Sequence, residues 1–181
     1  MSFDGLLVWR HPRPEGAAGR CIGAGTDLPV HPRRAKRLAR QIQQVARRQR
    51  LPHRVVTSPL QRCADVGRWL RRWGWQHEVD AALRELDFGA WDGRAWADID
   101  KAQIDAWVAD FAAYAPGGGE PLTDLLARVA SFQTDAPFVV SHGGWMLARR
   151  WSDEHGLAWP EASVWRAAPA YSEGWMFKRR Q

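Results

Sequence analysis

The stretch "LLVWRHPRPEGAAGRCIGAGTDLPV", residues 6 to 30, starts as an apolar run and then becomes a loop rich in glycine, proline and alanine. The run from Leu6 to Trp9 predicts a buried strand, and Arg10 and His11 follow it directly. In open α/β sheets, ligands bind in the crevice beyond the carboxyl ends of the parallel strands. A paired arginine and histidine at this point indicates a site for an anion such as phosphate.

Two later apolar runs end on groups of the same kind. The segment "VVTSPLQRC", residues 55 to 63, predicts a strand followed by a helix with Ser58 as N-cap and Pro59 at the first helical position. Arg62 lies one turn into that helix, and its side chain leans back toward the crevice. The segment "FVVSHGGWM", residues 138 to 146, ends on His142 before two glycines that permit a tight turn. Two arginines, two histidines and a helix N-terminus are thus expected to meet at one edge of a sheet.

The rest of the chain alternates between strand-like and helix-like runs, which is typical of a mostly parallel sheet with helices on both faces. The predicted strands are 6–10, 54–58, 76–79, 138–141, a run near 165, and 174–178, and the predicted helices are 31–50, 59–73, 98–113, 122–132 and 144–155. We therefore predict one α/β domain over residues 1–181, a three-layer α/β/α sandwich. Residues 84–118 or so are expected to form a short helical insert over the active site.

Length and composition limit the classes of protein to which this chain can belong. A chain of 181 residues fits a single domain with a substantial core. Neither terminus carries an apolar run approaching the roughly 18 residues of a membrane-spanning helix, so we expect a cytoplasmic protein that does not bind membranes. Cys21 and Cys63 are too few for a disulfide framework and are expected to be reduced thiols. We find no convincing cluster of metal ligands and expect a site without metal.

Much of the formal charge of +6 lies in the segment from residue 33 to residue 50. Its spacing predicts a helix with one apolar stripe and a wide basic face, formed by Arg33, Arg34, Lys36, Arg37, Arg40, Arg47, Arg48 and Arg50. We expect a solvated helix face. A nucleic-acid or polyanion site is the alternative, although no helix-turn-helix, RNP or zinc-finger pattern accompanies the segment.

Five segments together resemble the histidine phosphatase superfamily, and they occur in that family's order. They are "LLVWRHP" at 6–12, "TSPLQRC" at 57–63, "LRELDFGAWDG" at 83–93, "PGGGEPLTDLLARV" at 116–129 and "VVSHGG" at 139–144. A sixth, "GRCIGAGTDLPV" at 19–30, resembles the loop of the α-ribazole phosphatase branch. It has Ile22 where a tyrosine is common, and Pro121 replaces the serine that follows the glutamate of the fourth motif.

The resemblance implies a role for each matching residue. His11 would be the nucleophile that accepts the phosphoryl group. Arg10, Arg62 and His142, the last as a protonated ring, would bind the phosphoryl oxygens. Glu85 would protonate the leaving oxygen and then activate water. Such a mechanism needs no metal or other cofactor.

Several assignments stay open at the level of the sequence. Asp87 and Asp92 compete with Glu85 for the proton-transfer role. Trp91 either covers the organic part of the substrate or packs in the core. Arg13 either contacts an acidic group of the substrate or is solvated, and Trp145 is expected in the core.

The resemblance favours a metal-independent phosphomonoesterase acting on a small-molecule phosphate ester, with α-ribazole 5′-phosphate of cobalamin biosynthesis as the expected substrate. The alternative enzymes are a broad-specificity sugar or nucleotide phosphatase and a phosphoglycerate mutase. An alternative of another class is a non-catalytic module that binds an anion through the basic helix. The protein is expected to be a monomer or a homodimer.

Overall fold

The structure, a computed structural model, describes residues 4–156 and 158–180. Within these ranges, the chain forms five strands and five α-helices. The strands are β1 (Gly5–Arg10), β2 (Arg54–Thr57), β3 (Gln76–Val79), β4 (Phe138–Ser141) and β5 (Gly174–Lys178), and the helices are α1 (Pro32–Gln49), α2 (Gln61–Arg72), α3 (Lys101–Ala109), α4 (Leu122–Ser131) and α5 (Gly143–His155).

The strands form one sheet in the order β3-β2-β4-β1-β5. The first four run parallel, and β5 pairs antiparallel with β1 at one edge, which confirms the predicted mostly parallel sheet. β4 lies between β1 and β2, with Arg10 in register with Ser141 and Thr57 in register with Val140. The three strands that precede the predicted anion-binding residues therefore end side by side.

Alternating side chains of the strands point into two separate cores. Leu6 and Val8 of β1 belong to the core between the sheet and helices α4 and α5. Trp9 belongs to the core that the opposite face of the sheet forms with α1 and α2. The period of two in β1 thus supplies both cores of a three-layer sandwich.

The predicted strand near Trp165 is wrong. The chain forms a short 3-10 helix at Ala162–Val164, and the Trp165 backbone N–H donates to the Ala162 carbonyl at 3.3 Å, as in a turn and not a sheet ladder. The Trp165 ring packs 5.7 Å from that of Phe111, measured between ring centroids. Trp165 therefore contributes to packing through a partly buried ring and not through strand pairing.

Two predicted helix starts also differ from the structure. α2 begins at Gln61 with Leu60 at the N-cap, so Ser58 and Pro59 belong to the preceding turn. The predicted helix over 98–113 is shorter, because Asp100 caps a helix that starts at Lys101. None of the helices in 4–156 and 158–180 is long and apolar enough to cross a membrane.

Candidate active site

The four residues predicted to bind an anion lie together beyond the ends of β1, β2 and β4. The rings of His11 and His142 meet edge to face, with centroids 5.0 Å apart. The Arg62 Nε donates to His142 Nδ1 at 3.3 Å. Arg10 and Arg62 both lower the pKa of both histidines, so the two positive charges act on the same small volume.

His11 is held as a neutral ring. Its Nδ1 lies 2.8 Å from the Pro12 carbonyl oxygen, which can only accept, so Nδ1 carries the proton and Nε2 keeps a lone pair. The side chain is buried, and this burial, followed by the charge of Arg62, places the pKa of His11 well below its usual value. A neutral imidazole with an unprotonated Nε2 is the form that attacks phosphorus.

His142 is neutral as well, but it carries its proton on the other nitrogen. Because its Nδ1 accepts from Arg62, the proton is on Nε2, which donates to the Ser58 hydroxyl at 2.8 Å. Burial, and then Arg62, lower the pKa of His142 well below its usual value. The expected protonated His142 is therefore not the form that this environment favours.

Arg62 is fully buried and anchors the loop from Gly23 to Thr26. Its two terminal nitrogens donate to the carbonyls of Gly23 at 2.9 Å and Thr26 at 2.7 Å. Asp92 holds the same loop by accepting from the backbone N–H groups of Gly23 at 2.9 Å and Gly25 at 2.8 Å. Asp92 thus supports this loop, and unlike Glu85 it is not among the residues that line the cleft described below.

Arg10 is held differently from Arg62. One terminal nitrogen donates to the Pro169 carbonyl at 2.6 Å, and the guanidinium carbon lies 3.9 Å from the centroid of the Tyr171 ring. Its Nε is buried and has no hydrogen-bond partner within 4–156 and 158–180. A buried donor without a partner is costly, so this N–H suits a site that an anion occupies.

Glu85 reaches the same cleft from the start of the insert. Its Oε2 accepts from the Gly144 N–H, in the first turn of α5, at 3.1 Å, and its Oε1 accepts from the Leu86 N–H at 3.0 Å. A Cβ at Gly144 would lie 2.4 Å from Glu85 Oε1, so a side chain at this position would displace the Glu85 carboxylate. Asp87 is exposed, binds the Gly89 N–H at 2.8 Å and lies off the cleft wall.

The cleft has a volume of about 430 Å³ and extends from Arg10 and Glu85 toward the insert. Arg20 adds a second guanidinium to its wall, which otherwise is largely aromatic. The aromatic residues are Phe88, Trp96, Trp107, Phe111, Trp165 and Tyr171. Sequence reasoning missed these side chains; the high number of tryptophans was the signal, but it does not say which of them face a cleft.

Two tentative substrate contacts lie away from this wall. Trp91 is 1% exposed and packs with Cys21 and Ile99 in a small core of the insert, so its ring supports the cleft from behind. Arg13 is exposed and is not among the residues lining the cleft. Trp145 is buried in the core, as expected.

The cysteines and possible metal ligands add no second site. Burial raises the pKa of Cys21 to about 12, and burial also raises the pKa of Cys63, whose sulfur lies 3.5 Å from His142 Nε2. Both are buried thiols. In the part of the chain that the structure describes, no three His, Cys, Asp or Glu side chains cluster so that they could hold a metal ion.

Comparison with known proteins identifies a family and relatives that this chain resembles. Residues 6–166 match the family described as the histidine phosphatase superfamily (branch 1). A glucosyl-3-phosphoglycerate phosphatase of Mycolicibacterium vanbaalenii is 30% identical over 166 residues, which cover 82% of this chain and 73% of that protein.

Solved structures show the same likeness. A mycobacterial glucosyl-3-phosphoglycerate phosphatase complexed with VO3 superposes with a TM-score of 0.73 at 26% identity, over 96% of this chain and 92% of that chain. The α-ribazole phosphatase of Shigella flexneri has a TM-score of 0.75 over 98% of this chain and 91% of its own. At 21% identity, the second likeness concerns the fold alone.

Proposed function

The chain belongs to the histidine phosphatase superfamily and is a phosphatase, and from this premise we propose that it hydrolyses phosphate monoesters through a phosphohistidine on His11. One observation carries the proposal. The buried His11 is neutral with its lone pair on Nε2, and burial, then Arg62, and also Arg10 lower its pKa. Arg10, the neighbour of His11 in the chain, and the Glu85 carboxylate line one cleft. These residues supply a nucleophile, two anion-binding groups and an acid-base group.

In the first step, His11 Nε2 attacks phosphorus while the bond from phosphorus to the leaving oxygen breaks. The protonated carboxyl of Glu85 transfers its proton to that oxygen, so the alcohol leaves neutral. Arg10 and Arg62 stabilise the charge spread over the phosphoryl oxygens. Since both guanidiniums are positioned in advance by backbone carbonyls, little reorganisation accompanies the transfer.

In the second step, the Glu85 carboxylate takes a proton from water, and the water oxygen attacks phosphorus. The bond from phosphorus to His11 breaks, which releases inorganic phosphate and returns the neutral ring. The N–H groups of Gly144 and Leu86 each donate to one oxygen of Glu85 and so hold its carboxyl group in position.

The cleft wall supports a leaving group with a flat apolar part. Aromatic rings such as Trp96 and Trp107 dominate it, and Arg20 is its one cation beyond Arg10 among the described lining residues. α-Ribazole 5′-phosphate has this character, because its base is a benzimidazole that can stack on indoles. We therefore retain it as the proposed substrate.

A second candidate is glucosyl-3-phosphoglycerate, and the 30% identity to a phosphatase named for that ester favours it. Its leaving group is a polar sugar that carries a carboxylate, for which Arg20 is the available partner. Arg20 already donates to the Gly93 carbonyl at 2.8 Å, so its guanidinium is positioned on the cleft wall.

The test of the mechanism is a trap of the phosphorylated enzyme. Brief reaction of the wild-type protein with ³²P-labelled nitrophenyl phosphate should leave an acid-labile, base-stable label on the chain. His11→Ala should remove the label and turnover, while His155→Ala, which changes an exposed histidine, should keep both. A folded His11→Ala protein with wild-type turnover would overturn the mechanism.

The substrate is tested with a panel of α-ribazole 5′-phosphate, glucosyl-3-phosphoglycerate, 3-phosphoglycerate, nucleoside monophosphates and sugar phosphates, compared by kcat/KM. Trp96→Ala should lower kcat/KM for α-ribazole 5′-phosphate about tenfold, as expected for loss of one base-aromatic stack. Trp159→Ala, at an exposed tryptophan off this cleft, should not. Highest kcat/KM for glucosyl-3-phosphoglycerate, unaffected by Trp96→Ala, would favour the second candidate.

A further inference from the structure

We propose that Tyr171 is a positioning residue of this site, whose ring holds the Arg10 guanidinium in the orientation that binds the phosphoryl oxygens. The inference rests on the proposed function, and it concerns a residue outside every motif that the sequence singled out.

The geometry places Tyr171 against both parts of the Arg10-His11 pair. The Arg10 guanidinium carbon lies 3.9 Å from the Tyr171 ring centroid, well within the range of a cation-π contact. The ring centroid is also 5.6 Å from that of His11. Tyr171 is 37% exposed and lines the cleft, so one part of its ring faces the space where a substrate binds.

The segment that carries Tyr171 is fastened to the end of β1 by hydrogen bonds on both sides of the ring. Pro169 accepts from the Arg10 side chain at 2.6 Å. The Ser172 N–H donates to the Arg10 carbonyl at 3.2 Å, and the Arg10 N–H donates to the Glu173 carbonyl at 2.9 Å. The ring is thus tied to Arg10 through the backbone as well as through the side chain.

The turn at Tyr171 is also strained. Ser172 has a φ of 65°, a conformation that non-glycine residues adopt at a cost. The Glu173 side chain stabilises the turn, since its carboxylate accepts from the Ala170 N–H at 2.6 Å. A costly backbone conformation that is held by a dedicated carboxylate is what a turn needs when the side chain it presents must stay in place.

An aromatic ring suits this task because it leaves the charge of Arg10 available. Within 4–156 and 158–180, Arg10 has no carboxylate partner, in contrast to Arg128 and Arg149, which pair with Glu120 and Asp153. A carboxylate would neutralise the guanidinium and occupy its N–H groups. The Tyr171 face instead orients the cation and leaves its positive charge available to a phosphoryl group.

The test compares Tyr171→Leu with Tyr171→Phe by vanadate binding and steady-state kinetics. Tyr171→Leu should weaken vanadate binding and lower kcat/KM about tenfold, the effect of losing one partly buried cation-π contact. Tyr171→Phe should stay within twofold of wild type, because the ring remains. Trp69→Leu, which removes a ring beside Arg72 far from the cleft, is the matched control and should change neither quantity.

A double-mutant cycle separates positioning of Arg10 from any other role. In an Arg10→Met background, Tyr171→Leu should change vanadate affinity less than twofold, because the partner of the ring is gone. An undiminished effect in that background would overturn the inference. So would wild-type vanadate affinity and kcat/KM of Tyr171→Leu in an enzyme that forms the phosphohistidine. A wild-type protein that neither binds vanadate nor hydrolyses esters would instead overturn the proposed function, and this inference with it.

Discussion

The two buried histidines of the cleft carry their protons on opposite ring nitrogens. His11 donates from Nδ1 to a carbonyl, whereas His142 accepts at Nδ1 from Arg62 and donates from Nε2 to Ser58. Of these two rings, His11 therefore has the ring nitrogen, Nε2, whose lone pair has no hydrogen-bond partner in the described part of the chain. Two residues of the same type, with ring centroids 5.0 Å apart, thus differ in tautomer because different groups bind their ring nitrogens.

At the same scale, Glu85 can be tested as the general acid. An alkoxide needs a proton as it leaves, whereas a nitrophenolate departs without one. Glu85→Gln should slow phosphorylation of His11 by an alkyl phosphate about 10²–10⁴-fold, and far less by nitrophenyl phosphate. Rapid mixing must isolate this first step, because the mutant also lacks the base of the second step.

Asp92→Asn is the control for that experiment. It removes one of the two hydrogen bonds from Asp92 to the loop that Arg62 anchors. It should therefore slow phosphorylation of His11 by both substrates by the same factor. Equal losses for both substrates in Glu85→Gln would show that Glu85 does not protonate the leaving group.

Among the secondary-structure elements, helix α5 contributes its backbone to the site. It begins directly after His142 with two glycines, and its first turn presents the Gly144 N–H to Glu85 at 3.1 Å. A Cβ at Gly143 would lie 3.2 Å from the Arg10 guanidinium carbon. The glycine pair thus lets a helix N-terminus approach both Glu85, the proposed acid-base group, and Arg10, a proposed anion-binding group.

Gly144→Ala tests this close approach. The added methyl would lie 2.4 Å from Glu85 Oε1, so the carboxylate must move. We expect a loss of about 0.5–1.5 kcal/mol in the free energy of unfolding, which urea denaturation measures, because the displaced carboxylate gives up its hydrogen bond from Gly144. Turnover of alkyl phosphates should fall with it, because Glu85 is displaced.

The Glu85→Ala background provides the matched comparison. With the carboxylate gone, the three nearest contacts of the new methyl are gone as well. Gly144→Ala should then stabilise the helix by roughly 0.5–1 kcal/mol, as a glycine-to-alanine change normally does there. A destabilisation of the same size in both backgrounds would show that something other than Glu85 excludes a side chain.

For the whole molecule, buried neutral histidines make stability depend on pH. The pKa of His11 and of His142 is lowered in the folded protein, so the unfolded chain, with a pKa near 6.5, binds these protons first as the pH falls. The stabilisation is therefore complete above about pH 6.5 and is lost below it. Each histidine adds a slope of up to about 1.4 kcal/mol per pH unit.

Urea unfolding between pH 5 and pH 8 measures this dependence. His142→Gln should reduce the acid-side slope of the unfolding free energy, whatever its effect on absolute stability at pH 8. His155→Gln, which changes an exposed histidine, should leave the slope unchanged. A slope that His142→Gln does not alter would mean that His142 keeps an ordinary pKa in the folded protein.

The charge of the whole molecule is concentrated on α1. Its exposed basic residues have no ion-pair partner within 4–156 and 158–180, and its apolar stripe is buried against the sheet. We expect this face to be solvated. Changing Arg37, Arg40, Arg47 and Arg48 to Gln should leave kcat intact and lower kcat/KM modestly at low salt only. Tight, salt-sensitive nucleic-acid binding that this variant loses would favour the polyanion site.

Most residues of the proposed anion-binding site could be predicted because they come at, or directly after, the ends of strands in the sequence. A strand of period two places the next residue at the sheet edge, so Arg10, His11 and His142 needed no tertiary information. The residues of the cleft wall could not be predicted in this way. Trp96, Trp107 and Trp165 lie in a 3-10 helix, an α-helix and a loop, and no period links them. Trp91 contributes to the same high tryptophan content, but it packs in the core of the insert.

The order of apolar runs, and the residues that follow them, predicted by themselves the mostly parallel sheet, the end of that sheet where we propose that an anion binds, and the family. This is possible because strand alternation and parallel strand ends are local consequences of the backbone. Only the tertiary structure decided the two histidine tautomers, the role of Asp92 and the contact of Tyr171 with Arg10. These depend on contacts between distant parts of the chain, such as the hydrogen bond that joins Arg10 to Pro169 across 159 positions.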